Sequence, residues 1–153
     1  MDNVTVVGIR CGRPFDDIVK HFIGLGGDVI LMDPNFVCGR DHILSAVMHA
    51  ERAFKSGTNR SKTLLTEVIM YAAGERQISK ALSKMKPKEG CSEMAAAVFG
   101  VTDMKLGMIE ASEDDSILKC TPEKAEKMGL DISMAPAGEM ALEMVAMMDI
   151  QKQ

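Results

Sequence analysis

Apolar and polar positions alternate and cluster along the chain in a way that separates strands from helices. Residues 3 to 11 (NVTVVGIRC) are β-rich, and Val4, Val6, Val7 and Ile9 predict a half-buried first strand. Pro14 suits the first turn of a helix running through Ile18, Val19 and Phe22 towards Gly24. Residues 28 to 33 (DVILMD), ended by Pro34, read as a second strand. The glycines at 24 to 27 lie between a helix and a strand, the wrong order for a dinucleotide-binding loop. Asp41 is placed to cap a helix with Ile43, Leu44, Val47, Met48 and Phe54 at helical spacing, up to a Gly57-Thr58-Asn59 turn. Ser61 is placed to cap the next, with Leu64, Leu65, Val68, Ile69 and Ala72 on its apolar face and Gly74 as its stop. A shorter helix follows, with Ile78, Ala81, Leu82 and Met85 at i, i+3, i+4 and i+7.

Beyond Pro87 and Gly90, residues 94 to 99 (MAAAVF) read as a strand and 105 to 110 as a further one. Thr121-Pro122 predicts the cap and first turn of a short helix ending at Gly129, and a final helix is expected from near Pro136 to about Ile150. Strands interleaved with helices, without a regular βαβ rhythm, predict a mixed α+β member of the α/β class: a single small mixed sheet packed with helices in two to three layers. A chain of 153 residues is expected to close one core, so residues 1–153 are read as a single domain.

Composition adds bounds. With 46% hydrophobic and 26% charged residues the chain is expected to be globular rather than disordered. No apolar run is long enough to cross a bilayer and Met1-Asp2-Asn3 lacks the basic start of a signal peptide, so a cytoplasmic location without a membrane partner is expected. The cysteines at 11, 38, 91 and 120 form no Cys-x-x-Cys pair and are expected to be small reduced hydrophobes. Fourteen methionines against six aromatic residues predict a core filled by flexible thioethers.

The net charge of −4 hides a segregation. From Arg52 to Lys88 there are nine basic and two acidic residues, a local balance of +7; from Asp103 to Asp149 there are four basic and eleven acidic, a balance of −7. Such polarity points to two different partners. Arg76, Lys80 and Lys84 are successive i, i+4 neighbours and form one column, continued by Lys86 and Lys88. That column is either a solvated lysine face or a site for an anion. In the last helix, only Glu139 and Glu143 are charged between Ala137 and Met148, so one apolar flank packs inward and a second stays wet unless a protein covers it. Catalytic arrangements are poorly represented: His42 and His49 are two helical turns apart, too far to share a metal as i, i+4 ligands do, and residues 57 to 62 lack the Walker spacing. No catalytic residue, metal or cofactor is expected.

From His42 to Gly90 the pattern becomes specific, through Thr63, Leu64, Glu67, Val68 and Ile69, then Gly74, Arg76, Gln77, Ile78, Ala81 and Leu82, with DVILMDP as a preceding strand. This resembles the CGI/TPRKB family, the kinase-binding and tRNA-binding subunit of the KEOPS complex. The resemblance implies a non-catalytic accessory subunit of a complex that makes threonylcarbamoyladenosine in tRNA. Such a subunit binds the small atypical kinase/ATPase subunit and the CCA end of tRNA. It implies RNA contacts at Arg60, Lys62, Arg76, Gln77, Lys80 and Lys84, with Tyr71 stacking on bases, and a kinase contact at Met140, Met144 and Met147. Two alternatives stay open: a small α/β domain that binds a nucleotide or phosphorylated metabolite, and a kinase adaptor without RNA affinity.

Overall fold

The computed structural model describes residues 3–150, so Met1 and Asp2, which entered the reading of the N-terminus, lie outside the described residues. Among these, six α-helices and one four-stranded sheet make the mixed α/β fold that the sequence predicts, with every ladder antiparallel. The contacts divide the chain into two compact units. None of the described helices is long and apolar enough to cross a membrane.

The first unit comprises residues 1–34 and 86–118. It holds β1 (Val4–Arg10), α1 (Phe15–Gly24), β2 (Asp28–Met32), β3 (Glu93–Phe99) and the short β4 (Ser112–Glu113), in the sheet order β2-β3-β1-β4. Register follows the alternation of large apolar residues: Val7 faces Ala96, Ile9 faces Met94, and Val29 faces Val98. These residues share a core with Ile18 and Phe22, the i, i+4 pair on the inner face of α1. Gly8 interrupts β1 because a Cβ there would lie 2.1 Å from the Asp114 carbonyl oxygen.

Residues 105 to 110 form no strand, contrary to expectation. They make a 3-10 turn, Leu106–Ile109, flanked by Lys105 and Glu110, both left-handed at φ 45° and 53°. The turn is pinned by the Ala111 N–H donating to the Leu106 carbonyl and the Cys11 thiol donating to the Ile109 carbonyl. Its apolar residues therefore serve a tight loop rather than a ladder.

The second unit, residues 35–85 and 119–153, is helical where described. It contains α2 (Arg40–Ser56), α3 (Leu64–Ala73), α4 (Ile78–Met85), α5 (Pro122–Met128) and α6 (Ala137–Ile150), with α2 packed on α3 and α6, and α3 packed on α4 and α6. Two predicted caps are corrected. Gly39, not Asp41, is the N-cap of α2, and Thr63, not Ser61, caps α3 by accepting from the Thr66 N–H. Ser61 lies two residues ahead of that cap, in the preceding loop, where its hydroxyl is 2.8 Å from the Glu67 carboxylate. The reading of α5 stands as predicted, with Thr121 accepting from the Lys124 N–H, Pro122 in the first turn and Gly129 left-handed beyond the end.

The cysteine expectation is overturned for two of the four: Cys38 and Cys120 are joined by a disulfide across 82 residues, while Cys11 and Cys91 are free thiols. Spacing along the chain carries no information about a pair so remote.

Candidate nucleic-acid and partner interfaces

The start of α3 is organised by a buried carboxylate. Glu67, 1% exposed, accepts from the backbone N–H of Arg60 (3.0 Å), the backbone N–H of Ser61 (2.9 Å) and the Ser61 hydroxyl (2.8 Å). It thus folds the loop ahead of α3 back onto the helix, since a carboxylate in that position needs its lone pairs filled. The Arg60 guanidinium reaches the other way, donating to the Met148 carbonyl at 3.4 Å in the last turn of α6. There a cation complements the exposed carbonyls of a helix end. The Asp149 carboxylate completes this joint: it accepts from the Tyr71 hydroxyl and is 2.5 Å from His49 Nδ1.

Tyr71 is therefore corrected as a stacking platform. Its residue is 0% exposed, so the ring has no free face for a base, and burial first, then the hydrogen bond to Asp149, push its hydroxyl well above the ordinary range. His42 is buried on α2: its Nδ1 accepts from the Cys38 N–H at 3.0 Å and its Nε2 lies 2.9 Å from the Ala72 carbonyl. Those partners require the neutral Nε2–H tautomer, and burial pushes its pKa down to about 4.

The other end of α3 is arranged differently. Gly74 is left-handed at φ +66°, and a Cβ there would lie 2.7 Å from Met144 Cγ. Only glycine satisfies both the turn and the close approach of α6. Past this turn Arg76, Gln77 and Lys80 are exposed. Among the described residues, Arg76, Lys80 and Lys62 have no side-chain hydrogen bond or ion pair. The third member of the predicted column is not equivalent: Lys84 Nζ donates to the Ala73 carbonyl at 3.2 Å and pairs with Glu75 at 3.0 Å. It closes the C-terminal end of α3 and is neutralised there.

The predicted basic set is thus split. Arg76, Gln77 and Lys80 lie beyond the C-terminal end of α3, while Arg60 and Lys62 precede its N-terminus, a helix length of about 15 Å away at 1.5 Å per residue. Beside the first group, Ile78 and Leu82 are 41% and 43% exposed, whereas their neighbours Ala81 and Met85 are buried. The predicted apolar stripe of α4 is therefore only half used by the interior. This leaves two aliphatic side chains one helical turn apart next to Lys80.

On α6 the two flanks also sort differently from a methionine column. Ala141, Val145 and Met148 are buried, Met140 and Met144 are half-buried, and Met144 packs on Gly74. Exposed are Leu142, Met147 and Ile150, at 36%, 41% and 60%, with Ala146 between them and Glu139 and Glu143 alongside. Of the three predicted partner residues, Met147 is on this outer strip and Met144 is turned inward. Leu142 and Ile150 lie outside the predicted partner set, and Leu142, Ala146 and Ile150 share i, i+4, i+8 spacing. Among the described residues no group of three His, Cys, Asp or Glu side chains is placed to hold a metal ion.

Residues 23–136 match the family described as kinase binding protein CGI-121, including the stretch from 101 to 136 where the motifs are least distinctive. No curated protein matches the chain.

Proposed function

The chain belongs to the CGI-121 family of kinase-binding proteins, and from that premise we propose that it is a non-catalytic, cytoplasmic accessory subunit of the KEOPS tRNA threonylcarbamoyladenosine-modification complex. In this reading it docks on the small atypical kinase/ATPase subunit and holds the CCA end of tRNA, with no metal or cofactor of its own.

The observation that carries the RNA half is the pair of exposed cations Arg76 and Lys80, without a side-chain partner among the described residues, beside Gln77, Ile78 and Leu82. Cations attract a single-stranded phosphate backbone, the amide reads base edges, and the aliphatic side chains lie against base faces in place of the buried Tyr71. Lys62 contributes from the far end of α3 as a longer-range attraction. For docking, the supporting feature is the outer strip of α6, Leu142, Met147 and Ile150, which is apolar with an acidic margin. Met140 lies at its edge, and Met144 serves from beneath by fixing α6 on Gly74.

Titration with intact tRNA and with tRNA lacking its CCA end tests the first half: loss of affinity for the truncated RNA is expected, and equal affinity removes the anchoring role. Co-purification with the kinase subunit tests the second, with Met147→Asp expected to abolish it while leaving the helical circular dichroism intact. Retained binding would move the docking surface elsewhere.

A further inference from the structure

Within the helical unit, α5 is secured chiefly by a few discrete tethers. It has seven residues, fewer than an isolated helix needs to persist in water, so what holds it in place comes from outside the helix. Cys120, just ahead of its Thr121 cap, is bonded to Cys38. Lys124 Nζ donates to the Val37 carbonyl at 3.1 Å and Lys127 Nζ to the Asn35 side-chain oxygen at 3.1 Å. Ala125 is buried, and Met128 closes an apolar cleft whose other walls include Phe36, Ala72, Ala73, Met85 and Met144. The disulfide and the two lysine hydrogen bonds thus all run to one short stretch, residues 35 to 38, and of these three the disulfide alone is covalent.

From this arrangement we infer that the Cys38–Cys120 disulfide is a redox latch: intact, it holds α5 with Met128 over the cleft, and on reduction by a dithiol it releases α5 while α2 and α3 stay folded. Cys120 is half-buried and Cys38 is 2% exposed, so an incoming thiolate attacks the Cys120 sulfur. The sulfur–sulfur bond breaks and its electron pair leaves on Cys38, which takes up a proton next to the carbonyl held by Lys124. The reductant's second thiolate then attacks the mixed disulfide and expels the Cys120 thiolate, which is protonated in turn. The disulfide has gained two electrons and the dithiol has become a disulfide. What remains on α5 includes the part-buried Lys124 hydrogen bond, the exposed Lys127 hydrogen bond, buried Ala125 and half-buried Met128, non-covalent interactions of the strength that permits local opening. His42, which accepts from the Cys38 N–H, keeps the Cys38 side in place.

Residues 129–136 are all that separate α5 from α6, so the latch also sets how firmly the start of α6 is anchored. This last step rests on the docking role proposed for α6; the latch itself does not.

Hydrogen exchange of the whole protein, air-oxidised and after a dithiol reductant, tests the latch. Expected are two titratable thiols before reduction and four after, with amides of residues 122–129 exchanging about tenfold faster or more in the reduced protein and those of α2 and α3 unchanged. Cys120→Ser should show the fast pattern in both conditions. Four thiols in the oxidised protein, unchanged exchange in α5, or acceleration spread evenly over α2, α3 and α6 each overturns it, the last by making the bond an ordinary staple. Because the wild-type protein is measured directly, poor folding of the variant does not blur the result. A working latch with no kinase binding would reject the docking reading alone.

Discussion

The two ends of α3 use the same residue types for opposite purposes. At its start, Arg60, Ser61, Glu67, Tyr71 and Asp149 direct their polar atoms inward and tie the loop, α3 and α6 together. At its finish, Arg76 and Lys80 point their charges at solvent, and only Lys84 is drawn back onto the helix end. An arginine in the basic half of the chain is therefore not by itself a cation on offer to a phosphate. What decides is whether a carbonyl or carboxylate of the same unit already fills its donors.

The largest effect should come from breaking the inward end. Glu67→Ala removes the acceptor of one buried and one part-buried backbone N–H group and of a hydroxyl, and is expected to cost about 3 kcal/mol in urea unfolding. A loss under about 1 kcal/mol would mean that water replaces the carboxylate without difficulty.

A comparable effect is expected from pH acting on His42. Its folded pKa is about 4, below the ordinary 6.5, so between these values the unfolded chain takes up a proton that the folded chain refuses. Stability should therefore fall as pH drops through that window, by roughly 3 kcal/mol in all, and His42 should add nothing to the slope above pH 6.5. Unfolding free energies measured from pH 7 to pH 4 check this. His42→Gln should remove a one-proton share of the slope, about 1.4 kcal/mol per pH unit.

The outward end should respond in binding and not in stability. Arg76→Glu with Lys80→Glu is expected to weaken tRNA binding by about tenfold or more and to flatten its log–log salt slope by about 1.4, at 0.7 per single-strand phosphate contact. The unfolding free energy should stay within about 0.5 kcal/mol, since neither side chain has an intramolecular partner among the described residues. An unchanged salt slope would reduce the pair to a wet surface.

How far this was legible follows from which interactions are local. The helices α2, α3 and α4 and the caps of α5 could be read because helical spacing and turn chemistry lie within a few residues of each other. The N-cap of α3 was misread because Ser61 and Thr63 are both good caps by composition, and only the structure shows that the helix begins at Leu64. The loop at 105 to 110 escaped because its left-handed residues are Lys105 and Glu110, not the glycine or asparagine that would betray them. The wet flank of α6 could not be chosen because its apolar residues surround the helix and only Glu139 and Glu143 mark an outside. For the same reason Tyr71 looked available: its partner, Asp149, lies 78 residues away.

The smallest expected effect discriminates most sharply between the two ends. Arg60→Ala leaves the backbone N–H of residue 60 on Glu67 and deletes only the guanidinium that reaches the Met148 carbonyl. That contact is long at 3.4 Å and partly exposed, so its loss should cost no more than about 1 kcal/mol. Binding of tRNA and its salt slope should be unchanged, because the charge removed is occupied at the end of α6. If Arg60→Ala instead flattened the salt slope as one of the two outward cations does, the guanidinium would be leaving α6 for the phosphates. The start of α3 would then belong to the RNA surface as well, and the contrast between the two ends would be one of rest against binding rather than of structure against function.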